Sequence, residues 1–327
     1  MLKNNPLVSV IVPTYNRDHI IIDALKSIFN QTYRPLEIIV IDDGSTDNTK
    51  SVVQNWAQAY RNENTLSVRY IHQTNQGGNP ARNHGIKEAS GKFIAFLDSD
   101  DLWHANKLEK QMAVMQSASD IGGVYCGLRH VFLESGVIQP PSPRKYPDGD
   151  LLHKILIHDV TAPTSTYLIR AEAFEKVGSF DKDLLARQDW DMWIRLATQY
   201  KIGVVPEVLV DYREHEGVRT ASNPQKEINA YKAIMGKYAH LRSQCPIAVR
   251  QASKASFYRR MGRVYFHQKI SNSQAFGYLV CSILNWPFVF DSYTALFGML
   301  LPKQFRGYLH MTWNRYLGST GLAIKSH

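Results

Sequence analysis

Cysteine is scarce in this chain of 327 residues: Cys126, Cys245 and Cys281 are widely spaced, and no Cys-x-x-Cys pair exists. That excludes a disulfide framework and a zinc ribbon, and it fits a reducing compartment such as the cytosol. No apolar stretch of signal-peptide length stands before the first strand-like run in MLKNNPLVSV, so export is not expected. Charged residues make up 20% and hydrophobic residues 44%, a balance that excludes long disorder, and no internal repeat is present. The length predicts one large domain or two modest ones. Acid is what the last part lacks. Residues 241–327 hold eleven Lys/Arg and one acid, Asp291, while 1–240 hold 27 basic and 28 acidic residues. The net charge of +9 is therefore a property of the tail, and any anionic partner belongs there.

The first hundred residues alternate. Leu7–Val12, Leu36–Ile41, Val68–His72 and Phe93–Leu97 are short apolar, β-branched runs, separated by helix-like stretches at 17–30, 46–60 and 79–89. Runs apolar on both faces suit buried parallel strands covered by helices, which predicts an α/β, doubly wound, mostly parallel sheet. In such sheets ligands sit at the carboxyl ends of the strands. Those ends read Pro13-Thr14-Tyr15-Asn16, Asp42-Asp43-Gly44-Ser45, Gln73-Thr74-Asn75 and Asp98-Ser99-Asp100-Asp101. From 105 to 215 the pattern loosens. A helix (105–118), a strand (Val124–Phe132), an exposed loop (140–149), a strand (Thr166–Ile169), a helix from Gln188 and short strands near 202–212 are expected. From about 224 onward the chain reads as helices with basic flanks.

A glycine loop, Gly-x-Gly-x-x-Gly, is missing after the first strand, where PTYNR stands instead, so a nicotinamide dehydrogenase is disfavoured. Asp98 and Asp100 are two residues apart on a turning backbone and are able to face one hard cation, since Mg²⁺ and Mn²⁺ prefer oxygen ligands. The blander reading makes the same acids turn formers or a helix cap.

The ordered set VSVIVPTYNR, IDDGSTDNT, NQGGNPARNHGI and FLDSDD, followed by GSFDKDLLARQDWDMWIRLA (178–197) and DYREH (211–215), closely resembles glycosyltransferase family 2 over about residues 6–220. The resemblance implies a GT-A nucleotide-sugar fold and an inverting, metal-dependent transfer from a nucleoside-diphosphate sugar, by family habit a UDP-sugar. It implies roles residue by residue. Pro13 and Tyr15 line the nucleobase and ribose, Asp43 accepts from the base edge, and Arg82 helps hold the nucleotide. Asp98 reaches the ribose or the water shell of the metal. Asp100 and His215 ligate Mn²⁺ or Mg²⁺, and Asp189 is the catalytic base. Where the family has Glu-Asp this chain has Gln188-Asp189. The missing neighbouring charge favours the ionised form of the aspartate, because like charges oppose ionisation. The expected change is in acceptor contacts or pH optimum. Trp190 and Trp193 read as core, with one of them the alternative for a sugar-stacking wall.

These readings divide the chain into a catalytic domain (1–220, its nucleotide-sugar half about 1–104 and its acceptor half about 105–220) and a helical, basic region (221–327). The acceptor expected by analogy is a saccharide or its lipid-linked precursor in cell-surface polysaccharide synthesis. Residues 270–290 carry no charge but are diluted by Ser, Asn, Gln and Pro287. They favour surface association with an anionic membrane, on its inner face, over a true span; packing as extra core is the alternative. No nucleic-acid motif accompanies the basic stretch, so nucleic acid is not an expected partner. The competing functions are a sugar-phosphate nucleotidyltransferase, for which PTYNR supplies no triphosphate loop, and a non-catalytic nucleotide-sugar-binding scaffold, for which Gln188 speaks.

Overall fold

The structure, a computed structural model, describes residues 5–60, 65–139, 146–160, 162–214, 223–288 and 290–300. Its contacts divide the chain into two compact units, one of Met1–Ile155 with Asp159–Val218, the other of Leu156–His158 with Arg219–His327.

The first unit is built on one eight-stranded sheet in the order β3-β2-β1-β4-β7-β6-β8-β5. Strands β1 (Val8–Thr14), β2 (Leu36–Asp42), β3 (Leu66–His72) and β4 (Phe93–Phe96) run parallel. β2 is buried at every position, and β1 at all but Pro13, as expected of strands covered on both faces. Helices α1 (Ile21–Phe29), α2 (Thr49–Ala59) and α3 (Gly78–Glu88) return the chain between them. α1 buries Ile21, Ala24, Leu25 and Ile28, one helix face. It starts later than the sequence pattern predicts because the amides of Arg17 and Asp18 are bonded to Thr49 Oγ1 (2.9 Å) and Asp47 Oδ2 (3.1 Å).

Beyond β4 the sheet changes direction. β7 (Leu168–Arg170) pairs antiparallel with both β4 and β6 (Ile121–Phe132). β6 then runs parallel to β8 (Lys201–Glu214), and the two-residue β5 (Leu102–Trp103) closes the edge. β8 is one long strand where short ones are expected near 202–212. Its partner steps from Cys126 to Gly127 while β8 goes from Val205 to Val208, so Pro206 and Glu207 occupy a bulge. A proline has no N–H to give a ladder, and a bulge is where a strand tolerates it. The remaining helices of this unit are α4 (Lys107–Met115), α5 (Leu152–Ile157, its last two residues in the second unit), α6 (Ala171–Val177) and α7 (Gln188–Ala197).

A buried lysine stands in this core. Lys107 Nζ lies 3.9 Å from the centre of the Trp103 ring and donates to Gln111 Oε1 at 2.8 Å. Burial pushes its ammonium down to about 8, with the Cys126 thiol opposing the shift.

The second unit comprises α8 (Pro224–Lys237), α9 (Ala239–Ser243), α10 (Ile247–His267), α11 (Asn272–Asn285) and α12 (Phe290–Leu300). Ile228, Met261 and Val264 form its small core, wrapped by Tyr231, Phe257, Tyr265 and Tyr278. α10 and α11 touch closely at Gly262, where an added Cβ would lie 2.7 Å from Leu279. Glu227 pairs with Arg260, and Asp291 with Arg259 at 2.8 Å. Among the described residues no helix is long and apolar enough to cross a membrane.

Candidate active site

Parallel pairing sets the strand ends side by side: Thr14 is level with Asp42, and Leu97 N, just past β4, donates to Ile11 O at 3.0 Å. Asn16 staples the first two ends. At φ 52 it sits in the left-handed region that Asn tolerates. Its N–H donates to Ser45 Oγ and its Oδ1 accepts from Thr46 N, both at 2.8 Å. Tyr15, beside it, is 46% exposed on the rim, and Pro13 is half-buried at the end of β1.

The two acids after β2 do different work. Asp42 is fully buried, accepting from Ser45 N (2.8 Å) and from the Tyr70 hydroxyl. Burial and that bond both push the Tyr70 hydroxyl up. Asp43 accepts from Gln73 Nε2 (2.7 Å), Gln76 N (2.9 Å) and Gly77 N (2.7 Å). It thereby closes the loop after β3, using three of the roughly four lone-pair positions of a carboxylate. Gln73 also bonds His84 of α3 at 2.8 Å.

The β4 end is an acidic turn, closed by Asp101 N donating to Asp98 O at 3.0 Å. Asp98 Oδ1 accepts from Arg82 Nη2 at 2.5 Å, and its amide donates to Ser165 Oγ at 3.2 Å. Arg82 reaches it because α3 lies tight on β1: a Cβ on Gly85 would meet Ile11 Cγ2 at 2.4 Å. Asp100 is partly exposed, and its carbonyl accepts from Arg213 Nε. Asp101 is buried, with Oδ1 accepting from Arg213 N at 3.2 Å. Burial pushes its carboxyl well up; the charges of Asp100 and Asp98 add to this, and bonds from Ser165 and Arg213 oppose it. Arg213 Nη1 reaches on to Asp23 of α1 at 3.1 Å. His215 lies outside the described residues.

The donor set of this turn fits a hard divalent cation, being carboxylate oxygen throughout, with Asp98 and Asp100 partly open to solvent. Among the described residues no group of three or more His, Cys, Asp and Glu is placed to hold a metal by itself. Magnesium-type sites commonly use one or two carboxylates and take their remaining ligands from substrate phosphates and water.

Asp189 lies in the first turn of α7, half-buried, with Oδ1 accepting from the Trp190 amide at 2.8 Å. Two residues on, Asp191 is completely buried and holds Arg195 through Nε (3.0 Å) and Nη2 (2.9 Å). Both tryptophans are core, which removes the sugar-wall alternative. Trp190 Nε1 donates to Ile155 O at 2.8 Å, and Trp193 stacks on Tyr167 at 3.5 Å.

Asp189 and the acidic turn are joined through α3. Arg82 bonds Asp98, while Asn79 and Asn83 on the same helix bond the backbone of Phe180, Asp181 and Leu184, the segment leading into α7. The roles of Asn79, Asn83, Asp101 and Arg213 were missed in the sequence. Only the i, i+4 spacing of the two asparagines hinted at a shared helix face.

Residues 9–178 match the family described as Glycosyl transferase family 2. A curated relative from Escherichia coli, UDP-Glc:alpha-D-GlcNAc-diphosphoundecaprenol beta-1,3-glucosyltransferase WfgD, is 31% identical over 234 residues, covering 71% of this chain and 86% of its own. Among solved structures, S. aureus TarS 1-349 in complex with UDP-GlcNAc aligns with a TM-score of 0.64 at 24% identity over 93% of this chain and 86% of that one. A mannosyltransferase from Pyrobaculum calidifontis in complex with GDP-Man and Mn²⁺ aligns with a TM-score of 0.59 at 20% identity, over 99% and 89%. The sheet and its flanking helices are of the GT-A type.

Proposed function

Because the chain belongs to glycosyl transferase family 2, we propose that it moves a sugar from a UDP-sugar to a hydroxyl of a saccharide or lipid-linked saccharide, with inversion at the anomeric carbon. The observation that carries this reading is the acidic turn Asp98–Asp101, fixed by Arg82 to the helix that also grips the segment before Asp189.

In this reading Pro13 and Tyr15 flank the base, and Asp43 accepts from its edge. Arg82 helps hold the nucleotide, and Asp98 reaches the ribose or the water shell of the metal. Asp100, with His215, holds Mn²⁺ or Mg²⁺. A divalent ion, when bound, offsets the charge that the departing diphosphate gains. The remaining work belongs to the chain. Asp189 takes the acceptor hydroxyl proton on Oδ2, its Oδ1 already accepting from the Trp190 amide. The hydroxyl oxygen then forms a bond to the anomeric carbon from the face opposite the diphosphate. The bond to the diphosphate breaks, and its electron pair leaves with that group.

The test is incubation with UDP-glucose and with UDP-GlcNAc in Mn²⁺. Slow release of UDP, abolished by EDTA, is expected. Pyrophosphate release from a nucleoside triphosphate and a sugar phosphate would instead mark a nucleotidyltransferase, and no release from either donor would favour a binding scaffold.

A lipid-linked acceptor, as in the name of the E. coli relative, suits a chain that rests on a membrane surface. Phe276, Leu284 and Phe288 are exposed apolar side chains of a unit whose described acids, Glu227 and Asp291, are both paired with arginines. Each uncompensated Lys or Arg is worth about 1 kcal/mol near an anionic surface. Pelleting with phosphatidylglycerol vesicles at low salt, lost at high salt and absent with neutral vesicles, is the expected result. Equal recovery in the supernatant under all conditions would refute membrane association.

A further inference from the structure

Asn79, Arg82 and Asn83 share one face of α3, being spaced i, i+3 and i+4. Arg82 takes Asp98 of the acidic turn. Its two neighbours take the other side of the site. Asn79 Nδ2 donates to the carbonyls of Asp181 and Leu184, each at 2.9 Å. Asn83 forms a reciprocal pair with Phe180, Nδ2 to its carbonyl and Oδ1 from its amide, both at 2.8 Å. Phe180 is itself wedged between the two sides. Its buried ring meets Phe96 edge-on at 5.4 Å and lies under the Arg82 guanidinium at 5.9 Å.

From Phe180 the chain passes through turns to Arg187 and enters α7. Arg187 has φ 56, the left-handed region that residues other than glycine rarely adopt. Its carbonyl receives the Asp191 amide at 3.2 Å. A non-regular entry of this kind keeps one shape only where its surroundings over-determine it. Asn79 and Asn83 supply three donated bonds and one accepted bond to that entry.

We propose that Asn79 and Asn83 are positioning residues for Asp189, holding the entry to α7 in register with the acidic turn so that proton acceptor and nucleotide site keep a fixed separation. The proposal rests on Asp189 acting as the base. The same bonds would serve a purely structural role, and the two roles differ in what they predict. A positioning role acts through Asp189, so its loss matters little once that carboxylate is gone. A structural role adds its cost regardless.

The experiment compares the full-length chain with Asn83→Ala, Asp189→Asn and the double variant. It measures UDP release from UDP-glucose and UDP-GlcNAc in Mn²⁺, UDP affinity by calorimetry, and hydrogen exchange over residues 178–187. A misplacement of about 1 Å is worth about 10²-fold in rate. Asn83→Ala is therefore expected to slow turnover by about 10–10²-fold while UDP affinity stays within about twofold. The Phe180 amide should exchange faster, and the double variant should be no slower than Asp189→Asn alone. Wild-type turnover despite faster Phe180 exchange would overturn the proposal, and so would losses that multiply in the double variant. If Asp189→Asn alone kept full turnover, the assignment of the base would fail and the proposal with it. Should Asn83→Ala not fold, Asn79→Ser, which leaves the Asn83–Phe180 pair in place, is read by the same criteria.

Discussion

Asp189→Asn is expected to lower turnover by about 10²–10⁴-fold, the usual worth of a general base, with UDP binding unchanged. The expectation follows from the contrast between two acids on one helix. Asp191 is fully buried and spends its charge on Arg195, which donates on to the carbonyls of Val177 and Gly178. Asp189 is half-buried and makes one local bond, to the next amide. Breaking a buried charge pair costs about 3–5 kcal/mol, so Asp191→Asn should lower the melting temperature clearly, whereas Asp189→Asn should leave it nearly unchanged. Turnover, calorimetric UDP affinity and melting temperature, taken on both variants, separate the two roles. Equal turnover in wild type and Asp189→Asn would remove the residue from the chemistry.

The second large effect is expected at Asp100→Asn, where nucleotide binding should lose its dependence on metal. Asp98 is already tied to Arg82, and Asp101 is buried against the Arg213 amide. Asp100, the acid of the turn given to the metal in the proposed reading, is partly exposed, as a ligand of a hydrated cation must be. Loss of even an outer partner of a bound metal typically costs 10–100-fold in affinity, and a direct ligand should cost at least that. In Mn²⁺ the variant should bind UDP at least about tenfold more weakly than wild type, and in EDTA the two should bind alike. Calorimetry in both buffers decides it, and an unchanged response to Mn²⁺ would count against the assignment.

The parallel half of the sheet was legible because strands covered on both faces, such as Leu36–Asp42, appear as unbroken apolar runs, and the polar strand ends then mark the rim. The elements beyond β4 were harder for identifiable reasons. β5 is two residues long and shows no period, and β8 conceals its continuity behind Gly203 and Pro206. Trp190 and Trp193 lie on a helix whose neighbouring acids suggest a binding wall, but packing, which composition does not encode, places both in the core. Asp101 reads like its neighbours in the string Asp98-Ser99-Asp100-Asp101, yet it alone of the three acids is buried, because β8 brings Arg213 beneath the turn. The grip of Asn79 and Asn83 joins segments about a hundred positions apart, a separation at which one sequence carries no pairing information.

The extra residues of β8, Pro206 and Glu207 at the first irregularity and Leu209 at a second just after Val208, together fix which side chains β8 shows to each side of the sheet. Downstream of them Asp211 and Arg213 project one way, toward Arg129, His104 and the acidic turn, while Tyr212 and Glu214 project the other way and meet His130. Alternation in a strand has a period of two. Deleting any one of the extra residues would therefore exchange the faces, carrying a phenol and a carboxylate to where a carboxylate and a guanidinium now stand. Those three extra residues act as a reading frame for the far end of the strand.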